Sequence, residues 1–301
     1  MSVKHWGLFI LMGLMWGSSF MWIKIGVREL LPFTFVALRM LFALFGYLAL
    51  LALRLVQRPT RDNLGKTAVL AFFNMVLPFS LITFSEQVIP SGIAAMLIST
   101  SPLFTALLAH FLLPDDRLTW LRIIGLLTGF AGVVVLASTR LQDAERVSPW
   151  GIAGVLTASF CFAAMVVFTR RVFDGSTTTQ QAFGQTLFAV LFVFPAALTF
   201  EAPFTLPRLP LSWAAIAYLG IISSALNYLI FYYLIHAVGG SRTSQVSFLV
   251  ALVGGVLGVV VLGEHLTWQL VAGGLMIICG IIVVNSGGPA RTEAVAHASG
   301  A

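Results

Sequence analysis

Arg39 is the residue in this chain best equipped to do chemistry, because it stands about six positions inside an unbroken apolar run spanning residues 34–53. At about 1.5 Å of rise per residue, that places it roughly 9 Å below the end of a membrane-crossing helix. An arginine at such a depth costs at least ~2.5 kcal/mol unless it meets a partner or water. Two readings follow. Its planar fork of donors suits a carboxylate on a ligand; alternatively it pairs with a neighbour or snorkels outward. Glu86 follows directly on another apolar run, residues 67–85, at comparable depth, so an Arg39–Glu86 pair is one expected form of the second reading. None of the 11 acidic residues falls at the middle of an apolar run, which argues against a mid-membrane carboxylate relay. Glu86 is the one candidate for a proton-linked step, and a facilitator or exchanger fits the sequence equally well. His110 and His236 stand near run ends and read as packing residues.

The uncharged candidates fall into stripes. Ser224, Asn227, Tyr228 and Tyr232 follow helical spacing and share one face. Trp16 and Ser19 share a face of the first run, and Trp16 is the one tryptophan at mid-run depth. Ser99 and Ser247 occupy matching places 148 residues apart, with Gln245 beside the latter, and Asn74 and Gln185 complete the set. A polar side chain facing lipid is unfavourable, so each should face the interior of a helix bundle. A bond to a neighbouring helix explains each Ser, Asn or Gln as well as a ligand does. Trp16 and the tyrosines, apolar bodies with polar tips, fit an amphipathic or aromatic ligand, although such a stripe is also ordinary packing. Cys161 and Cys279 lie inside apolar runs and read as small core residues, with no disulfide framework, metal site or cofactor implied. A His-Glu-x-x-His motif, a Gly-x-Ser-x-Gly elbow and a pair of buried aspartates are all missing, which argues against an intramembrane enzyme.

The elements that must position these residues follow from composition. Hydrophobic residues make up 59% of the 301 and charged residues 9%, whereas a soluble domain carries about 25% charged. Too few charges remain for a water-facing surface, so the chain is expected to be an all-α membrane protein. Ten apolar stretches, near 6–25, 34–53, 67–85, 91–113, 120–138, 149–169, 179–200, 212–235, 243–262 and 267–285, each approach the length of a crossing. The first reads as a span rather than a cleaved signal, being too long and lacking a cleavage box. With the N-terminus inside, Lys and Arg divide eleven to five in favour of the inner loops, so both termini are expected to be cytoplasmic. The net charge of +6 follows from this loop bias and does not call for nucleic acid. Trp6, Trp120, Trp150, Trp213 and Trp268 open spans, where an indole fits the interface. Residues 287–301 read as a disordered tail.

The chain also repeats itself. Leu118-Thr119-Trp120 recurs 148 residues later as Leu266-Thr267-Trp268, and Gly125, Gly132 and Ser138 are echoed at the same offset by Gly273, Gly280 and Ser286. Spans four and five thus correspond to nine and ten, giving units of five crossings over residues 1–140 and 141–286. Five is odd, so the second unit must enter from the opposite face. Inverted repeats of this kind are the common architecture of secondary transporters, because two similar halves can exchange conformations around a central site. Glycines four apart, such as Gly13/Gly17, Gly125/Gly129 and Gly254/Gly258, are expected to let helices approach closely. Pro78, Pro102 and Pro195 should kink their spans or free a carbonyl.

Several motifs resemble the drug/metabolite transporter superfamily, EamA branch. They are Trp16-Gly17-Ser18-Ser19-Phe20, Phe35-Val36-Ala37-Leu38-Arg39, the stretch from Glu86 to Ala95 followed by Ser101-Pro102-Leu103-Phe104, and Leu262-Gly263-Glu264-His265-Leu266-Thr267. One departure is visible at Leu113-Pro114-Asp115-Asp116-Arg117, where the family more often has Gly-Glu-Arg. The resemblance implies a ten-helix transporter in a bacterial inner membrane, a monomer or weak homo-oligomer, often an exporter of amino acids or other small metabolites. The aromatic amino-acid exporters of the YddG type are the nearest branch by this reading. Only Arg39 among the cations is deep, which favours zwitterionic or neutral ligands over phosphorylated ones.

Overall fold

The computed structural model describes residues 2–58, 64–112, 118–138, 148–172, 178–238, 243 and 246–286. Among them every regular element is a helix. In chain order these are α1 (Val3–Gly26), α2 (Pro32–Ala52), α3 (Leu64–Ala71), α4 (Leu77–Glu86), α5 (Ser91–Ile98), α6 (Ser101–Leu112), α7 (Trp120–Ser138) and α8 (Pro149–Val172). They continue as α9 (Thr178–Phe200), α10 (Pro210–Ala217), α11 (Asn227–Val238), α12 (Val246–Leu262) and α13 (Trp268–Ser286). Two π-helical segments, Phe72–Val76 and Tyr218–Leu226, join α3 to α4 and α10 to α11. Among the described residues, eight helical stretches are long and apolar enough to cross a membrane, and Val246–Leu262 and Trp268–Val284 are shorter apolar helices. The tail from Gly287 lies outside the described residues.

The outside of the bundle is apolar. Phe45, Leu127, Val134 and Val260 are all more than half exposed, as a lipid-facing surface requires. Trp6, Trp120, Trp150 and Trp268, each at a helix start, are also more than half exposed, the position expected of interfacial anchors.

Helix breaks fall where the chain loses a donor. Pro78 has no N–H for the Asn74 carbonyl, and the turn before it widens into the first π segment. The fourth apolar stretch breaks after Ile98 and restarts at Ser101, with Pro102 in the first turn of α6. Helix α9, by contrast, runs through Pro195 without interruption. The second π segment contains no proline.

The main packing pairs are α7 with α13, α1 with α12, α6 with α8, α4 with α8, α2 with α9 and α5 with α12. Small residues set the close approaches. A side chain added at Gly17 would lie 2.6 Å from the Val253 Cβ and 3.2 Å from the Val250 carbonyl, so α1 and α12 touch nearly backbone to backbone.

Candidate functional site

Two of the sequence stripes meet in the middle of the bundle. Trp16, on α1, donates from its indole Nε1 to the Ser223 carbonyl at 3.2 Å, and its ring lies 5.8 Å from Tyr228 and 5.2 Å from Phe231. The Ser19 and Ser223 hydroxyls are hydrogen-bonded to each other, and Ser19 also donates to the Met15 carbonyl. Tyr228 and Tyr232, one turn apart on α11, have ring centres 6.1 Å apart.

Arg39, buried on α2, donates from Nε to the Ser224 hydroxyl at 3.0 Å, and its guanidinium carbon sits 3.9 Å above the centre of the Phe79 ring. A desolvated cation on an aromatic face is stabilised by about 2 kcal/mol. Nε is the one nitrogen of the fork engaged among the described residues. The expected Arg39–Glu86 pair does not form: both Glu86 carboxylate oxygens are buried without a hydrogen-bond partner. The reason is local. Arg39 turns instead to Ser224 and Phe79, and Glu86 lies in the last turn of α4. There Lys24 of α1 donates instead to the Glu86 and Ile89 backbone carbonyls, which a helix C-terminus leaves without partners.

Asn74, Gln185, Tyr228 and Tyr232 close a circuit. Asn74 Nδ2 donates to Gln185 Oε1 at 3.1 Å, Gln185 Nε2 donates to the Tyr232 hydroxyl at 3.3 Å, and the Tyr228 hydroxyl donates to the Asn74 carbonyl at a long 3.5 Å. The π segments explain why acceptors are available. A π turn misaligns the backbone ladder, and three carbonyls inside such turns accept side-chain donors: Asn74 from Tyr228, Ser223 from Trp16, and Ala225 from Tyr47 at 2.9 Å.

The structure therefore brings together Trp16, Ser19, Arg39, Asn74, Gln185, Tyr228 and Tyr232. Asn227 lies alongside, its Nδ2 donating to the Met12 carbonyl while its Oδ1 is buried without a partner. Ser99 and Ser247 meet each other elsewhere, Ser99 donating to the Ser247 carbonyl at 3.1 Å, a helix-to-helix bond between α5 and α12. Glu86 stands apart at the helix end, and Gln245 lies outside the described residues. His110 accepts from the Leu118 backbone N–H at 3.1 Å, in keeping with a packing role. Phe79, Ser223 and Tyr47 belong to the cluster and were not singled out by sequence. With 25 phenylalanines in the chain, a single ring under an arginine gives no distinguishing signal.

Beyond the helices, Glu29 in the α1–α2 connection is partly exposed and its carboxyl is held below the ordinary carboxylate range. The Ser212 hydroxyl is the main cause, with the Arg208 and Leu209 N–H groups and the Arg208 charge adding to it. Among the described residues no group of three or more His, Cys, Asp or Glu could hold a metal ion.

Against known proteins, residues 5–138 and again 149–286 match the model of the EamA-like transporter family. An uncharacterized transporter of Archaeoglobus fulgidus is 28% identical over 295 residues, covering 94% of this chain and 99% of that protein. The uncharacterized inner membrane transporter YedA of Escherichia coli K12 is 27% identical, covering 84% of this chain and 81% of its own length. A Salmonella typhimurium protein named as a probable amino-acid metabolite efflux pump is 26% identical, covering 94% and 95% of the two chains. One solved crystal structure superposes with a TM-score of 0.68 at 18% identity, covering 94% of this chain and 96% of that one, which supports the fold alone.

Proposed function

The chain belongs to the EamA-like transporter family, and from that premise we propose that it exports small metabolites, amino acids including aromatic ones, by alternating access through a central site. The observation that carries the substrate reading is the cluster of Trp16, Tyr228, Tyr232 and Arg39. Arg39 supplies a cation for a carboxylate. The two tyrosines and the indole supply aromatic faces for an apolar or aromatic side chain. Relatives named as probable amino-acid metabolite efflux pumps agree with this class.

The central site lies between two inverted five-span halves, residues 1–140 and 141–286. Support comes from the family model matching twice and from packing pairs that exchange when the halves are exchanged. Helix α1 packs on α12 as α8 packs on α6, and the π segments fall in corresponding third and eighth spans. Both termini are cytoplasmic in this reading, on the loop-charge bias, and the bacterial inner membrane is the site of action. The protein works as a monomer or weak homo-oligomer.

Counterflow in proteoliposomes against an amino-acid panel tests the proposal. The expected result is saturable exchange, strongest for aromatic amino acids. Flux that does not saturate would indicate a pore, and no movement of any amino acid would overturn the substrate assignment.

A further inference from the structure

Three helices at one end of the bundle begin without a cap of their own. Helix α2 starts after Leu31, α5 after Pro90 and α10 after Leu209, and none of these preceding residues offers a side-chain acceptor. The first N–H groups of a helix need acceptors, and the positive end of the helix dipole favours a carboxylate there. For α2 and α5 a glutamate from elsewhere in the chain supplies it. Glu201 accepts from the Phe33 and Thr34 N–H groups at 2.8 and 2.7 Å. Glu264 accepts from Ser91 and Gly92 at 2.6 and 2.9 Å. A third glutamate, Glu29, accepts from the Arg208 and Leu209 N–H groups that lead into α10, the Leu209 contact at 3.2 Å.

Every one of these carboxylate contacts crosses between the two family-matched segments, 5–138 and 149–286. Glu29 reaches from the first to the second, while Glu201 and Glu264 reach from the second to the first. All three also lie at the same end, where α1 finishes, α2 and α5 begin, and Lys24 meets the Glu86 and Ile89 carbonyls. Local geometry is built around at least one of them. Gly263 takes a left-handed φ of +68° just before Glu264, which glycine adopts without strain. The absence of a side chain at Gly258 leaves room for the Glu264 carboxylate, because a Cβ there would clash with it.

We propose that these three carboxylate contacts form a latch that holds this end of the bundle closed, and that releasing them together opens the central site to that side. The device is sparse and reversible. Bonds of an ionised carboxylate to N–H groups are short and strong when made, yet each glutamate sits outside the apolar spans, where water can replace the lost partners on opening. Separating the halves breaks all three at once and leaves the starts of α2 and α5 without their acceptors, so the closed state is cooperative. This inference rests on the alternating-access reading above and adds the element that gates one side.

The test uses the full-length protein with Cys161 and Cys279 replaced by alanine and one reporter, Ser19→Cys, placed where α1 meets Ser223 between the halves. A membrane-impermeant maleimide is applied to intact cells, the side on which the latch lies if both termini are cytoplasmic, and to inverted vesicles. Glu29→Gln, Glu201→Gln and Glu264→Gln, singly and combined, remove the charge with little change of shape. Labelling from the latch side should rise a few-fold in the single Glu201 and Glu264 variants, in line with the loss of one helix cap, and on the order of tenfold or more in the combined variant. Should the combined variant fail to fold, the three single variants carry the reading. Unchanged labelling in all of them would overturn the latch. Counterflow is measured in parallel on the glutamate variants with native serine at position 19. Raised labelling with no counterflow in the parent protein would retire the carrier reading and leave the latch standing.

Discussion

Arg39 is held by two neighbours of different chemistry, a hydroxyl that accepts from its Nε and an aromatic ring under its guanidinium. That arrangement leaves the cation in place without neutralising it, which is what a carboxylate-binding group inside a membrane requires. Arg39→Ala should lower kcat/KM for an amino acid on the order of 10–100-fold, since a hydrogen bond to a charged group contributes about 1.5–3 kcal/mol. Arg39→Lys should fall between, having charge but no planar fork. Transport of the matching amine without its carboxylate should change little in either variant. Equal losses for the amino acid and the amine would mean that Arg39 only holds the helices together. At this scale the sequence announced Arg39 through its depth alone, because a lone cation in an apolar run needs a reason to be there. It did not announce Phe79 or Ser223, whose types recur throughout the chain. It also suggested the wrong partner: similar depth made Glu86 a candidate, but depth says nothing about which way two helices turn their faces.

The π segments show how an element makes a site. Pro78 removes the donor that would occupy the Asn74 carbonyl, and the Tyr228 hydroxyl reaches that carbonyl from another helix. In Pro78→Ala the new N–H can close the ladder onto Asn74, so Tyr228 should lose its acceptor. Tyr228→Phe should then cost less stability in the Pro78→Ala protein than in the parent, with a coupling of about 0.5–1 kcal/mol by double-mutant cycle in detergent. Additive losses would show that the two groups do not communicate. The freed carbonyl near Pro78 was legible, since proline always removes a donor. The second π segment was not, because Tyr218–Leu226 has no proline to mark it, although it packs against α2 and α1. The break near Pro102 was expected and found. Pro195 was expected to kink its span or free a carbonyl, and α9 continues through it with Pro195 lacking the N–H of that turn.

For the whole molecule, lipid gives no hydrophobic drive to bring helices together, so close packing has to supply it. The repeat that the Leu-Thr-Trp motif announces ends in α7 and α13, and these two helices meet reciprocally. A Cβ at Gly280 would lie 2.6 Å from the Gly125 carbonyl and from the Gly129 nitrogen; one at Gly125 would lie 2.7 Å from the Gly280 carbonyl and the Val284 nitrogen. Gly132 and Gly273 face each other's carbonyls in the same way, at 2.6 and 2.8 Å. Backbone atoms cannot swing aside as a side chain can. Gly280→Ala should therefore destabilise the protein by about 1–3 kcal/mol, whereas Gly7→Ala, with nothing within 4 Å of the new methyl, should be close to neutral. Because either methyl already separates the same two backbones, Gly125→Ala with Gly280→Ala should cost less than the two single losses together. Unfolding in mixed micelles measures all four proteins. Strict additivity would mean that the two glycines act in separate contacts, and the pairing of the last helix of one half with the last helix of the other would then lose its reciprocal character.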